Sequence, residues 1–182
     1  MTGRRRRPAM RHGVRGQALA EFAIVAPIFF LLLFAVIQVG LVFAAQNGLV
    51  DGVRSAARRA ATYRINEGSF DGTVWPAICQ AIKTEIGDRM RTRVIGFNPT
   101  HLTGVVTYEW APNPESGDYF LVAHVSAAYR NPLYVPLISA FLDRSDGTVD
   151  NQLTLSASEQ MRIENPALQP SVDPPSAPPA CP

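Results

Sequence analysis

Cysteine, histidine and charge are all scarce in this chain of 182 residues. Its two cysteines, Cys79 and Cys181, are too few for a disulfide framework or a four-cysteine zinc site and allow at most one disulfide. The three histidines, His12, His101 and His124, stand far apart and in no metal-ligand spacing such as HExxH. No GxSxG, P-loop or paired CxxC occurs, so the constellation of acid, base or nucleophile that an enzyme needs is missing and no cofactor is expected. Asp143, Asp146 and Asp150 around Gly147 miss the spacing of a calcium loop and read as a solvated acidic turn. A length within the ~100–200 residues of one domain excludes a large multidomain enzyme.

The formal net charge is only +2, from 17 basic and 15 acidic residues, but it is unevenly laid out. The first 15 positions hold Arg4, Arg5, Arg6, Arg7, Arg11 and Arg15 and no acid, giving +6. The remainder carries 11 basic against 15 acidic groups, which is −4. An arginine run of this kind binds phosphates in nucleic-acid proteins. Here it lacks interleaved aromatics and directly precedes an apolar segment, so it reads as a topology signal and no nucleic-acid partner is expected.

From Phe22 to Ala45 the residues FAIVAPIFFLLLFAVIQVGLVFAA contain Gln38 as their only strongly polar side chain. As a helix these 24 residues extend about 36 Å, enough to cross a hydrocarbon core of ~30 Å. A core helix of a soluble protein would show a polar stripe. Beyond the run, Arg54, Arg58, Arg59 and Arg64 are offset by Asp51, so the six-arginine side is expected to stay in the cytoplasm and the C-terminal body outside it. A cleavable secretory signal fits poorly, because its apolar region is ~7–15 residues long and Phe43-Ala44-Ala45 puts a bulky residue where a small one is needed. The expectation is a single-pass protein of the cytoplasmic (inner) membrane, with the lipid bilayer as one partner.

Between leader and span stands Arg15-Gly16-Gln17-Ala18-Leu19-Ala20-Glu21-Phe22. Glu21 has two readings. At the headgroup level near a helix N-terminus its charge suits the macrodipole. Alternatively it pairs with a free amine made by cutting after Gly16, a residue whose missing side chain lets a peptidase approach the backbone. Pro27, inside the run, removes one backbone donor and crowds the carbonyl of Ala23; it reads as a local kink or as part of subunit packing.

The basic leader, the RGQALAEF junction, the apolar run with its proline and the small-residue continuation RSAARRAA from Arg54 to Ala61 together resemble the type IV pilin superfamily. They resemble most closely the TadE-like minor pseudopilins of tight-adherence (Flp) pilus systems. The resemblance implies that a prepilin peptidase cuts after Gly16, that Gln17 becomes the mature N-terminus, and that Glu21 is the glutamate of the processed helix. It also implies other pilin or pseudopilin subunits and a pilus assembly platform as partners. Gln17 departs from the hydrophobic or small residue common at that place in the family. The likeness covers about the first 50 residues well and the remainder only in general layout.

Past Ala45, Leu49, Val53, Ala56, Ala57 and Ala60 continue the helical period, so one helix is expected from Gln17 to about Tyr63. Gly40, Ala44, Gly48, Gly52, Ala56 and Ala60 step by four, and neighbouring members form a groove for another helix backbone. The step drifts ~40° around the axis each time, which suits a crossing helix and not a long parallel seam. The same residues are also simply common in spanning helices. Phe22, Pro27, Gly40, Ala44 and Gly48 join Glu21 as candidates for helix pairing in assembly.

Residues 65–72 read as a loop, and Thr73 to Met90 as a helix whose stripe of Trp75, Ile78, Cys79, Ile82, Ile86 and Met90 makes Cys79 a packing residue. Leu102 to Trp110 and Tyr119 to Arg130 read as a hairpin across the turn composition APNPESGD. Gln152 to Ile163 alternates, with only Glu159 breaking its apolar side. Pro136 to Leu142 reads as a short helix capping the sheet. Residues 166–182 hold seven prolines and read as extended or disordered, so a bond from Cys181 to Cys79 requires this tail to fold back.

The expected architecture is α+β: a leader (1–16), a long N-terminal helix (17–64) with its transmembrane part at 22–45, a pilin-like domain (65–165) with an antiparallel sheet of about three strands and one or two further helices, and a Pro-rich tail (166–182). Three functions suit it: a structural minor pseudopilin, a stationary membrane-anchored scaffold of the pilus or secretion apparatus, or an unrelated signal-anchored extracellular binding domain.

Overall fold

The computed structural model describes residues 13–63, 74–115, 119–147, 149–163 and 181. The order of elements is α1 (Gly13–Thr62), α2 (Val74–Arg91), β1 (Leu102–Pro112), β2 (Tyr119–Pro132), α3 (Pro136–Leu142) and β3 (Gln152–Arg162), with 3-10 turns at Pro99–His101 and Asp143–Asp146. The chain is α+β. It divides between Ile37 and Gln38 into two compact units. The leader up to residue 12, the 65–72 loop and nearly all of the Pro-rich tail lie outside the described residues.

The first unit is the N-terminal part of α1. The helix begins at Gly13, one turn earlier than the sequence reading has it, because nothing between Gly13 and Gly16 forbids helical backbone. Pro27 lies within it without ending it. The second unit holds the rest of α1, the other two helices and a three-stranded antiparallel sheet in the order β1-β2-β3.

Alternation along the strands selects one sheet face for the core. Val106, Tyr108 and Trp110 of β1 are buried, as are Leu121, Ala123, Val125, Ala127 and Tyr129 of β2 and Leu155 of β3. The register sets Val106 opposite Val125, Tyr108 opposite Ala123, and Leu155 opposite Tyr129. Cross-strand pairs such as these are the unit of sheet stabilisation, each about 0.2–1 kcal/mol. The other face carries small polar side chains, among them Thr103, Ser126, Ser156 and Ser158.

Two helices cover the apolar face. α1 contributes Ala45, Leu49, Val53, Ala56, Ala57 and Ala60, and α2 contributes Trp75, Ile78, Cys79, Ile82, Ile86 and Met90. The closest approach is at Gly52, where a Cβ would lie 3.1 Å from the Ile86 carbonyl oxygen and 3.2 Å from its Cα. Of the small residues stepping by four, Gly52 lets α2 approach, and the space over Gly48 is filled by Arg93 and Val94 just past the end of α2. Near the end of α1, Tyr108 Oη donates to the Ala60 carbonyl at 3.4 Å, and burial raises the phenol's pKa above its ordinary range.

The break in the β3 pattern has a partner. Glu159 faces the core side opposite Val125 and forms an ion pair with Arg54 of α1 at 3.5 Å. Cys79 and Cys181 form a disulfide with their Cα atoms 5.4 Å apart, and the Cys181 N–H donates to the Val106 carbonyl at 2.8 Å. Cys181 is thus buried against edge strand β1.

Candidate functional site at the N-terminal junction and span

The candidate site begins where α1 begins. Gly16 has open space around it: a Cβ there would meet nothing within 4 Å. Gln17 Nε2 donates to Glu21 Oε1 at 3.0 Å, so the first residue after the candidate cut and the candidate carboxylate lie one helical turn apart on one side of the helix. Both are exposed. Arg15 lies in the helix, while Arg4, Arg5, Arg6, Arg7 and Arg11 fall outside the described residues.

Past Glu21 the helix surface is apolar on every side. Phe22, Ile24, Val25, Ile28, Phe29, Leu32, Phe34 and Val36 are all exposed. Phe29, Phe30 and Phe34 touch along it, with ring centroids 5.7 Å and 6.3 Å apart. α1 is long and apolar enough to cross a membrane. Lipid offers such a surface the environment that protein gives a buried helix.

The small residues proposed for helix pairing divide between two environments. Gly40 is open, with nothing within 4 Å of a Cβ placed there. Ala44 is half-buried, and Gly48 is buried beside Arg93 and Val94, where a Cβ would lie 3.3 Å from Arg93 Cβ.

Two features escaped the sequence reading. Gln38 is fully buried, and its Oε1 accepts from the Tyr134 N–H at 2.9 Å and the Val135 N–H at 3.2 Å. Its isolation as one amide in an apolar run was the available signal. The second feature is a charged network between α1 and α2. Glu85 accepts from Ser55 Oγ at 2.7 Å, Arg59 Nη1 at 3.1 Å and Arg89 Nε at 3.1 Å. The Ser55 hydrogen bond first, then those of Arg89 and Arg59, hold this carboxylate below its ordinary range against the opposing effect of burial. Only Glu85 to Arg89, spaced by four, was legible from sequence.

The acidic turn is solvated only in part: Asp150 is exposed, as expected, but Asp143 is not. Asp143 is buried, and its Oδ1 accepts from the Asp150 N–H at 3.1 Å and the Gln152 N–H at 3.3 Å, so it ties the turn to the start of β3. Among the described residues no three His, Cys, Asp or Glu side chains gather as metal ligands. His101 Nδ1 contacts the Arg130 carbonyl at 3.1 Å, and His124 lies 3.5 Å from Glu109.

A helix with an apolar circumference, entered through an exposed Gly-Gln-x-x-x-Glu junction, is what distinguishes this chain, and the family comparison falls on the same stretch. The model of the family described as TadE-like protein matches residues 16–58. The N-terminal segment is TadE-like. No curated protein and no solved structure matches the chain. The TadE-like segment begins at Gly16 and runs to Arg58, so it takes in the junction, the apolar run and the part of α1 that carries Gly48, Gly52 and Ala56.

Proposed function

We propose that the protein is a structural minor pseudopilin, not an enzyme, that takes part in assembly or initiation of a tight-adherence type IV pilus. A prepilin peptidase removes the basic leader by cutting after Gly16. The observation that carries this reading is the TadE-like match beginning at Gly16 and continuing directly into Glu21 and the apolar helix. Cleavage frees the α-amino group of Gln17 one turn from Glu21, the residue its side chain already contacts. In a dry helix bundle the new ammonium and the carboxylate neutralise one another, in the same or a neighbouring subunit, since an unpaired buried carboxylate is strongly unfavourable.

In this reading the N-terminus faces the cytoplasm, the second unit lies outside, and other pilin subunits and the assembly platform are the partners. The arginine leader supports that orientation. So does the Cys79–Cys181 disulfide, because such bonds persist in oxidising compartments outside the cytoplasm.

The test is the intact mass and N-terminal residue of the protein isolated from membranes with and without an active prepilin peptidase. Processing yields a chain starting at Gln17 only when the peptidase is present. Retention of Met1 to Gly16 beside an active peptidase removes the pseudopilin reading. Processed protein that never appears in sheared pili assigns the chain to a stationary scaffold instead.

A further inference from the structure

The end of the second unit that carries Gln38 buries several polar side chains and exposes several large apolar ones. The buried polar residues among those described are Gln38, Asn131, Ser139 and Asp143. All belong to this end: Gln38 binds the backbone of Tyr134 and Val135, Ser139 Oγ donates to Asn151 Oδ1 at 3.2 Å, Asp143 holds Gln152, and Asn131 sits in β2 one residue before Pro132, the ladder partner of Gln152. Around them the exposed side chains include polar ones, Arg144, Ser145, Asp150 and Asn151, and four large apolar ones. Phe141 is 81% exposed, Val149 80%, Ile95 71% and Tyr134 51%, with Tyr134 Oη donating to the Ile95 carbonyl at 3.2 Å.

α3 and the 3-10 turn that follows it bring the two kinds of residue side by side. Ser139 and Asp143, four residues apart, face inward, and Phe141 faces out. A helix bordering water turns its large apolar side chains inward, as Ile138 and Leu142 partly do here and Phe141 does not. Large apolar side chains turned outward beside a membrane-spanning helix are suited to contact with lipid.

The depth of this end along α1 supplies the occupant. The apolar run starts at Phe22, and the ~20 residues needed to cross a bilayer end near Leu41, past Gln38. The two hydrogen bonds to Gln38 Oε1 therefore pin the start of α3 beside the last turns of the span. Tyrosine is also enriched where membrane meets water, as Tyr134 would be here.

We propose that α3 and the flanking residues Ile95, Tyr134 and Val149 form an interfacial lipid-binding face, lying in the headgroup and upper acyl region of the bilayer leaflet from which the second unit emerges, with Phe141 inserted among the lipids. The inference rests on α1 spanning the membrane and is independent of cleavage at Gly16 and of pilus assembly.

The full chain is reconstituted into phosphatidylcholine vesicles whose acyl chains carry bromine near the headgroup, and tryptophan variants are compared with the unsubstituted protein by difference emission. Phe34→Trp reports insertion of α1, Phe141→Trp reports α3, and Ser126→Trp reports the open face of the sheet. The expected result is blue-shifted emission, quenched about twofold by the brominated lipid, for Phe34→Trp and Phe141→Trp but not for Ser126→Trp. Ile95→Trp gives the same reading of the face if the α3 variant fails to fold. Quenching at position 34 with water-like, unquenched emission at 141 and 95 overturns the interfacial face and leaves the span intact. Blue-shifted but unquenched emission at 141 assigns the face to a second copy of the chain and also overturns it. Equal quenching at 126 overturns the orientation, and absence of quenching at 34 overturns both the span and this face.

Discussion

Gly52 of α1 and Ile86 of α2 stand with backbone against backbone: three Ile86 atoms lie within 3.2 Å of where a Cβ at position 52 would be. Two of the three belong to the main chain, so the crowding cannot be relieved by a rotamer change. Gly52→Val is expected to lower stability by about 1–3 kcal/mol through overpacking. Gly52→Ala falls between, since the ~1 kcal/mol gained in helix propensity opposes the same clash. Gly40→Ala, with open space at the same kind of position, keeps the propensity gain. Denaturant unfolding in a fixed detergent separates the three.

Acid sensitivity is expected from Glu85. Its carboxylate is held below the ordinary value of 4.5, chiefly by Ser55. A group with a depressed folded pKa contributes stability that is fully present above its unfolded value and is lost as pH falls through the folded one. Stability is therefore expected to decline below about pH 4.5. Ser55→Ala costs about 1 kcal/mol at neutral pH and makes the acid-side decline shallower, which unfolding curves at several pH values measure. A variant with an unchanged acid slope contradicts this assignment.

Gln38→Met removes the acceptor for two part-buried N–H groups, those of Tyr134 and Val135, while keeping the length of the side chain. Leaving them unpaired is expected to cost about 2–3 kcal/mol. Faster hydrogen exchange at amides 134 and 135, with the sheet amides unchanged, identifies the loss as local. Gln38 Nε2 has no hydrogen-bond partner, so the variant also removes one unsatisfied donor and the net effect lies at the lower end of that range.

Glu21→Ala is expected to leave membrane insertion and the thermal stability of the second unit unchanged, because Glu21 is exposed and its side-chain partner is Gln17 in the same helix. Recovery of the protein in sheared pili is expected to fall at least about tenfold, the size of effect that losing one charge-assisted pair of ~1.5–3 kcal/mol produces. Undiminished recovery rules out the charge-pairing role.

Most of the architecture was legible because local pattern and tertiary context agree. β3 alternates from Gln152 onward, the α2 stripe from Trp75 to Met90 faces the core, and the apolar run is long enough to cross a membrane whatever follows it. Long-range polar contacts were not legible. Nothing local links Gln38 to Tyr134, 96 residues away, or Ser55 to Glu85, 30 away. Asp143 of the acidic turn was misread because spacing alone cannot tell a carboxylate facing water from one accepting backbone N–H groups. At the junction, Gly16, Gln17 and Glu21 are singled out by family resemblance, whereas composition alone leaves Glu21 as a carboxylate beside an apolar run.

The Cys79–Cys181 bond also sets an order of events. All three strands and α3 lie between its two cysteines along the chain. The link therefore cannot close until every strand has been synthesised, and in the proposed topology until every strand has crossed the membrane. A molecule with the bond in place has already passed both stages. The disulfide is a seal on a finished domain and not a nucleus around which one forms, so a reducing exterior would leave a chain that is exported and inserted yet never locked.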